Sequence, residues 1–340
     1  MHRFLTVLLA VLTVCACSRT RLPQDEVVVY SSVDAELLEH IANAFEQQTG
    51  VRVLLVTDNE AVKTTGLVQR LRAERSRPRA DVWWSSEPLG TIELSHLGVL
   101  APYASVAAES SIPGGWPAHL RGPDWYGFGL RFRVLAYAPE RVATPPRTLG
   151  ALVEPEWRGR VGMARPQFGT TRSHMAVLLH VWGPDRFRSW LQAMRDNGLR
   201  LYDGNAAAVR AVRQGEIDLC LTDTDDVWAA QRNGWNIQPV YEVPSREGRF
   251  ASTGPIALPN TIALVRGGPN PQQAQQFIDF VLSERAARMM AESDSHNIPI
   301  DPKLRAELSR WAPPDWTPID LVAIEARARE AVALCEDVLR

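Results

Sequence analysis

The sequence predicts an α/β protein with two lobes, each a mixed, mostly parallel sheet flanked by helices, with hinge strands between the lobes. The chain has 340 residues, which is more than one ordinary domain and suits two of roughly 100–200 residues each. Short apolar runs with strand character alternate with amphipathic runs, a pattern typical of parallel sheets covered by helices. A stretch rich in Pro, Gly and Ser at 101–122 separates two such alternating blocks.

The first block has the order β-α-β-α-β, followed by a third helix. We expect its strands at 26–30, 52–56 and 80–84 and its later helices at 63–75 and 89–97. The first helix has apolar residues at helical spacing, and Gly50 suits its C-terminus. These apolar residues are Leu37, Leu38, Ile41, Ala42 and Phe45. Ligands of such sheets bind beyond the carboxyl ends of the strands, so the loops there are candidates for a site.

The second block begins with a long strand-like segment at 126–138 that could cross between the lobes. Strands are predicted at 160–164, 199–202, 217–222 and 256–265, and helices at 170–182, 184–195, 205–214, 271–282, 284–292 and 319–339. We therefore expect an N-terminal lobe formed by 24–130 plus about 255–300, and a C-terminal lobe formed by 131–254. Helices within about 301–340 should pack on the lobes.

The N-terminus carries an export signal. His2 and Arg3 precede an apolar run at 4–14, the arrangement of a secretory signal peptide. The run closes on Val14-Cys15-Ala16-Cys17, which resembles the bacterial lipobox. Residues 1–17 would then be a lipoprotein-type signal peptide, with Cys17 as the lipid acceptor and membrane anchor. A simple secretory peptide cleaved near Ala16 or Ser18 is the alternative. Both predict a protein of the cell envelope that works outside the cytoplasm, and neither chooses between the inner and the outer membrane.

Composition narrows the class of partner. A formal charge of −2 and the absence of a long basic block give no reason to expect nucleic acid as a partner. Hydrophobic residues make up 45% and charged residues 22% of the chain, as in a soluble globular protein. We expect Cys220 and Cys335 to be buried free thiols, because two distant cysteines make a poor disulfide framework.

Recurring segments across nearly all of the mature chain resemble the iron(III)-type branch, family 1 type, of bacterial periplasmic solute-binding proteins. The resemblance implies a type II-like periplasmic-binding-protein fold that closes on its ligand by a hinge motion. It also implies a monomer that works with the permease and ATPase subunits of an ABC importer. The segments are Val28-Val29-Tyr30-Ser31-Ser32, 45–51, Ala80-Asp81-Val82-Trp83-Trp84, 98–103, Phe168-Gly169-Thr170-Thr171, 214–218 and Leu258-Pro259-Asn260-Thr261.

The positions that hold iron in the ferric-binding members differ here. A His is replaced by Asp34, a carboxylate position falls at Ser86 with Glu87 beside it, and two adjacent tyrosines are replaced by Asp225 and Asp226. Phenolate ligands are therefore missing from the pattern. Carboxylate oxygens suit a hard cation such as Fe³⁺, but they equally suit an ammonium group. A metal site at Asp34, Asp225 and Asp226 and a site for an organic cation both stay open, and no resident cofactor is predicted.

The anion half of the family pattern is better retained. The predicted helix that opens with Gly169, Thr170 and Thr171 presents free N–H groups and the positive end of its dipole to an anion. Arg131, Asn205 and Thr224 match the family's polar anion-contacting positions.

Each of these candidates has a simpler interpretation. Residues 169–171 could be an ordinary helix start, and Asp34 an N-cap. The acids from Asp223 to Asp226 could form a solvated turn. Glu60, in the loop after the second strand and so on the cleft side, could be a solvated surface residue.

Two other functions compete with import. Asp223-Thr224-Asp225-Asp226 after an apolar strand resembles the signature of haloacid-dehalogenase-type phosphatases, but it falls late in the chain and lacks their later motifs. A lipoprotein that presents its ligand to a membrane sensor would have the same binding lobes. We favour a binding protein without catalysis, and the sequence leaves the identity of its ligand open.

Overall fold

The computed structural model describes residues 25–57, 64–245, 248–309, 312–313 and 315–340. The predicted signal peptide with Cys17, and Glu60, lie outside the described residues. The strands are β1 (Glu26–Ser31), β2 (Arg52–Thr57), β3 (Val82–Ser85), β4 (Leu100–Ala101), β5 (Tyr126–Tyr137), β6 (Val161–Ala164), β7 (Arg200–Tyr202), β8 (Leu219–Asp223), β9 (Gln238–Val240) and β10 (Ala257–Val265).

The α-helices cover both faces of these strands. They are α1 (Ala35–Thr49), α2 (Thr65–Ala73), α3 (Pro88–His96), α4 (Val106–Ser110), α5 (Gly169–Asp196), α6 (Asn205–Gln214), α7 (Thr224–Arg232), α8 (Pro271–Val281), α9 (Glu284–Glu292), α10 (Pro302–Leu308) and α11 (Leu321–Val338). Two glycines lie at helix boundaries that the sequence predicts. Gly50 ends α1 in a left-handed conformation at φ 75°, and Gly183, at φ 74°, interrupts α5 between its two predicted parts.

Strand β5 joins two groups of strands into one strongly curved sheet. The strand order is β2-β1-β3-β10-β5-β8-β6-β7, with β4 on β10 and β9 on β5. The first part of β5, up to Phe132, pairs antiparallel with β10, and the part from Arg133 pairs antiparallel with β8. Within the two groups, β1 is parallel to β2 and β3, and β6 is parallel to β7 and β8. The predicted two-lobed α/β fold is confirmed.

Each group of strands has its own apolar core. Around β1 and β3, the rings of Phe45 and Phe277 meet edge to face at 5.1 Å, and Trp84 packs beside them. Around β6 and β8, helix α5 buries Trp190 and Trp182 with centroids 5.6 Å apart. Separate cores explain how two lobes can each hold their shape.

Helix α11 connects the two cores. Its buried face, from Ile324 to Val338, packs into the core of α5. Its exposed side reaches α3 through ion pairs of Arg329 with Glu93 at 3.2 Å and of Glu325 with His96 at 3.2 Å. Cys335 lies on the buried face of α11, and both it and Cys220 are buried free thiols, as the sequence predicts.

Among the described residues, no helix has the length and apolar character that crossing a bilayer requires.

Candidate functional site

A cleft lies where the carboxyl ends of strands from both groups meet. Its volume is 960 Å³, which is ample for a small solute. One wall comes from the ends of β1 and β3, from α1, and from the end of α9. The other comes from the starts of α5, α6 and α7, which follow β6, β7 and β8.

Most of the candidates predicted from the sequence line this cleft. The structure brings together Asp34, Ser86, Arg131, Gly169, Thr170, Thr171, Asn205, Asp225 and Asp226. Glu87 and Thr224 are not part of the lining. The cleft carries eight acidic side chains and four arginines, and no tyrosine is among the described residues that line it. The donor groups therefore differ from a tyrosinate site, and the local charge favours a positive group.

Glu87 stabilises the fold instead of facing the cleft. Its carboxylate caps α3 by accepting hydrogen bonds from the N–H groups of Leu89 and Gly90, both at 2.8 Å. The hydroxyl of Ser173 on α5 donates to the same carboxylate at 3.1 Å, and Arg172 lies 3.6 Å away. Only 1% of Glu87 is exposed, so its oxygens are committed to joining α3 with α5.

Thr224 also has an internal partner. It is the first residue of α7, and its hydroxyl oxygen accepts a hydrogen bond from the N–H of Phe132 at 3.1 Å. This contact lies at the residue where β5 leaves β10 and joins β8. Thr224 thus fixes α7 against the crossing strand.

A buried ion pair supports the floor of the cleft. Asp223 accepts a hydrogen bond from Arg133 at 2.8 Å, and both side chains are almost fully buried. The other oxygen of Asp223 accepts from Thr170 and from the amide of Asn205 at 2.9 Å. One carboxylate therefore holds together β5, β8 and the first residues of α5 and α6.

His174 lies under the same network. Its Nδ1 accepts a hydrogen bond from Nε of Arg133 at 3.3 Å. Burial lowers the pKa of His174 well below its usual value, and the charge of Arg133 lowers it further. His174 is therefore neutral at neutral pH and acts as an acceptor for Arg133.

Sequence reasoning missed Arg133 and His174 as site residues. Two signals were available. Arg133 stands two residues after Arg131, so the period of a strand places both on one face. His174 follows Thr170 by four residues, which places both on one face of α5.

Asp225 and Asp226 are the acids that stay close to the cleft. Burial raises the pKa of Asp225 to about 6, Arg131 opposes the rise, and Asp223 and Asp34 add to it. Burial likewise raises the pKa of Asp226 well above its ordinary value, with Asp225 and Asp223 adding. Buried acids with raised pKa values are typical of functional sites, and a positive group placed beside them would favour their charged form.

The carboxylate of Asp226 also stabilises the start of α7. Its carboxylate accepts hydrogen bonds from Thr222 at 2.7 Å and from the N–H of Asp223 at 3.3 Å. Asp225 instead faces Arg131, with 3.3 Å between Oδ2 and Nη1. Asp225 is thus the acid of this pair that a ligand can recruit most readily.

Arg131 spans the cleft floor between the two groups of strands. Besides Asp225 it donates to Oδ1 of Asn260 on β10 at 3.0 Å. Its Nε is buried and has no hydrogen-bond partner among the described residues. Since Arg131 lines the cleft, it can contact an anion there or hold Asp225 in the absence of a ligand.

The start of α5 presents backbone donors to the cleft. Its N-cap is Phe168, which has no side-chain acceptor, so no side chain caps the first turn. Gly169 has φ 56°, a conformation that favours glycine. Asn205 donates to the hydroxyl oxygen of Thr170 at 3.2 Å and so fixes that side chain. The N–H groups without a side-chain cap and the helix dipole favour an anion.

Carboxylate oxygens of three acids come close enough for a cation to bridge them. One oxygen each of Asp223, Asp225 and Asp226 lies within 4.8 Å of the others. Asp223, however, already accepts hydrogen bonds from Arg133, Thr170 and Asn205, so its carboxylate has little capacity left to bind a cation. Asp34, which precedes α1 and makes no side-chain cap there, faces the same space from the opposite wall. Asp34 and Asp225 are therefore the acids best placed to share a positive group.

Helix α7 touches the opposite wall at the mouth of the cleft. The rings of Trp228 and His296 stack with centroids 3.9 Å apart, and Arg232 pairs with Asp294 at 2.8 Å. Asp225, Trp228 and Arg232 follow each other at helical spacing and so share one face of α7. The face that carries Asp225 is thus also the face that contacts the loop after α9.

We predict that Asp223→Asn destabilises the protein by about 3–5 kcal/mol, because it leaves the buried charge of Arg133 without a counterion. Urea unfolding followed by circular dichroism measures this. The double variant Asp223→Asn with Arg133→Met removes both charges and should recover most of the loss. A single variant within 1 kcal/mol of the wild type would contradict the importance of the pair.

We predict that the stability of the unliganded protein depends on the titration of Asp225. Its folded pKa of about 6 exceeds its ordinary value of 3.8, so the folded state binds more protons in this window. The free energy of unfolding therefore falls as pH rises from about 4 to about 6. Asp225→Asn cannot ionise, and should become more stable than the wild type by about 2 kcal/mol at neutral pH while matching it near pH 4. Asp185→Asn, an exposed control, should show no such divergence in urea unfolding.

Comparison with known proteins agrees with this architecture. The family model described as "Bacterial extracellular solute-binding protein" matches residues 40–317. Iron uptake protein A1 of Synechocystis is 28% identical over 289 residues, which cover 80% of this chain and 75% of that protein. The major ferric iron-binding protein of Neisseria meningitidis is 25% identical over 267 residues, 78% of each chain.

A solved structure gives the same result. Iron-bound HitA from Pseudomonas aeruginosa superposes with a TM-score of 0.75 at 25% identity, covering 92% of this chain and 99% of that one. The matched proteins bind solutes and are not enzymes, so the phosphatase alternative is wrong. The chain belongs to the bacterial extracellular solute-binding protein family.

Proposed function

We propose that this chain is the solute-binding component of an ABC importer, working outside the cytoplasm and held on a membrane through a lipid on Cys17. It captures a small solute in the cleft and passes it to the permease and ATPase subunits as a monomer. In this proposal the N-terminal lobe is 24–130 with about 255–300, and the C-terminal lobe is 131–254. Family membership and the cleft between two groups of strands support it.

The ligand we propose combines a positive centre with an anionic group. The observation that carries this is the arrangement of the cleft lining, in which Asp34 and Asp225 face the same space as the uncapped start of α5. An ammonium group meets the acids through charge-assisted hydrogen bonds. A carboxylate, phosphate or phosphonate meets the N–H groups of α5, with Arg131 beside it.

Ferric iron with a bound anion is the second candidate. The names of the relatives from Synechocystis and Neisseria favour it, and an Fe³⁺–anion pair has the same division of charge as the organic ligand. Against it stands the absence of tyrosine among the described residues that line the cleft. Iron would have to be held by carboxylates, chiefly Asp34, Asp225 and Asp226, and Asp226 is already committed to capping α7.

Presentation of the ligand to a membrane sensor would use the same cleft. Neighbouring genes separate the two roles, because permease and ATPase genes accompany an importer and a histidine-kinase gene accompanies a sensor. Import is favoured here because the relatives from Synechocystis and Neisseria are named for iron uptake or iron binding.

We predict that a thermal-shift panel identifies the ligand, since a compound that binds only the folded state raises the unfolding midpoint. The panel contains Fe³⁺ with phosphate, Ca²⁺, polyamines, amino acids and aminophosphonates. The compound that binds should lose about tenfold or more in affinity on Asp225→Asn, because one charge-assisted hydrogen bond is worth roughly 1.5–3 kcal/mol. Asp185→Asn should bind like the wild type. An unchanged affinity on Asp225→Asn would remove Asp225 from the site.

We predict that the contacts at the mouth of the cleft favour the closed arrangement of the lobes. Arg232 and Asp294 are half exposed, so their pair adds less than about 1 kcal/mol to overall stability. Arg232→Asp should nevertheless raise the radius of gyration in small-angle scattering and weaken apparent affinity by several-fold, because fewer molecules are closed. The charge swap Arg232→Asp with Asp294→Arg should restore both. Arg188→Asp, which breaks an exposed pair with Asp337 far along α5, serves as control, and a swap that behaves like Arg232→Asp alone would refute the role.

A further inference from the structure

The edge of the sheet opposite the cleft carries a recess lined by arginines. It lies between the end of α2, the start of β4 and the end of β10, and its volume is 280 Å³. Arg75, Arg79 and Arg266 line it. Strands β1 and β3 begin at this edge, because the N–H of Val265 donates to the carbonyl of Asp81, just before β3. The recess is therefore separate from the solute cleft.

The geometry holds these arginines together. The guanidinium of Arg266 donates to the carbonyls of Gly98 at 3.0 Å and of Leu100 at 2.7 Å. These bonds fix its position without neutralising its charge. Gly98 has φ 66°, and a Cβ atom there would lie 3.7 Å from Nη2 of Arg75. Arg75 and Arg266 thus converge on the same glycine.

The recess has a surplus of positive charge. Its one acid, Glu74, is already engaged, because it pairs with Arg70 at 2.9 Å and accepts a hydrogen bond from the hydroxyl of Tyr30 at 3.0 Å. Arg75 and Arg79 are exposed, and the exposed Arg77 stands between them; no ion pair of Arg75 or Arg79 is found within the described residues, where Glu74 pairs with Arg70. Clustered guanidinium groups repel one another unless an anion lies among them, and their planar donors fit phosphate oxygens.

The chain enters the fold at this same edge. Asp25 precedes β1, and its carbonyl accepts a hydrogen bond from Arg52 at the start of β2. Eight peptide units separate Cys17 from Asp25, and even fully extended they span less than about 30 Å. If Cys17 carries the lipid, this edge is tethered close to the bilayer surface.

We propose that the surface formed by Arg75, Arg77, Arg79 and Arg266 docks on anionic phospholipid headgroups, with a phosphodiester in the recess. The inference rests on the proposed location outside the cytoplasm and on a membrane, but it adds a second contact with that membrane. A lipid and a basic surface together give a more durable attachment than either alone. Docking also holds the N-terminal edge against the membrane, so the orientation of the cleft relative to the permease becomes restricted.

The test uses the chain from residue 17 onward with Cys17→Ser, so that no lipid contributes. Its binding to vesicles of mixed phosphatidylglycerol and phosphatidylcholine is compared with binding to phosphatidylcholine alone by co-sedimentation at low and high salt. Each arginine near an anionic surface contributes roughly fivefold in partitioning. Arg75→Gln with Arg77→Gln and Arg79→Gln should therefore reduce binding to the mixed vesicles on the order of a hundredfold. High salt should do the same.

The matched control removes three exposed arginines elsewhere, as Arg147→Gln, Arg158→Gln and Arg186→Gln. It changes the net charge equally and should bind vesicles like the parent chain. An equal loss in this control, or equal binding to phosphatidylcholine alone, overturns the proposal. So does binding of inorganic phosphate or polyglutamate at the recess without binding of vesicles. The triple variant at the recess should keep the thermal shift of the solute panel, which separates failure here from failure of the solute-binding function.

Discussion

The buried pair of Arg133 and Asp223 is the interaction on which the site depends. Asp223 ends β8 and, through its two oxygens, reaches β5, the first turn of α5 and the first residue of α6. Besides the pairing of β5 with β8, this carboxylate adds hydrogen bonds that tie the starts of α5 and α6 to the two strands. Burying two charges costs solvation energy that only several well-formed hydrogen bonds can offset. These hydrogen bonds hold the start of α5 in place without a ligand.

A second constraint is the shared use of single elements by two cores. Strand β5 belongs to one group of strands up to Phe132 and to the other from Arg133. Helix α11 packs into the core of α5 and pairs with α3, and Glu87 caps α3 while accepting a hydrogen bond from α5. The two groups of strands are therefore joined by a strand, a helix and a capping carboxylate.

Local patterns gave the order of most elements because each pattern is a direct consequence of backbone geometry. The apolar spacing from Leu37 to Phe45 and the position of Gly50 predicted α1, and separate helices were predicted at 170–182 and 184–195, on either side of the break at Gly183 in α5. Helix α7 was missed, because the acids from Asp223 to Asp226 resemble a turn after a strand. They are instead acids in the first turn of a helix, where its dipole favours them. The short strands β4 and β9 were missed because two or three residues are too few to show the alternation of apolar and polar residues that is typical of a strand.

The site was predicted less completely, because a sequence shows which residues follow strands but not what they contact. Asp34, Asp225 and Thr170 reach the cleft as expected, since carboxyl ends of parallel strands meet at one edge. Glu87 follows β3 as the sequence predicts, but it does not line the cleft. Its carboxylate accepts hydrogen bonds from the N–H groups at the start of its own helix, α3. Arg133 was overlooked since its importance comes from a partner 90 residues away. The spacing from Arg131 places Arg133 on the same face of β5, but the local sequence does not show that Asp223 is its partner.

The two arginines of β5 stand on opposite sides of the point where the strand changes partners. In the strand pairing, Arg131 lies opposite Leu258 of β10, whereas Arg133 lies opposite Asp223 of β8. Any shift between the two groups of strands would leave the pair of Arg133 and Asp223 intact, whereas Arg131 could not keep both its hydrogen bond to Asn260 on β10 and its 3.3 Å contact with Asp225. The two ion pairs on β5 would therefore respond differently to such a shift. The NMR resonances of the two guanidinium groups would report it without an added label.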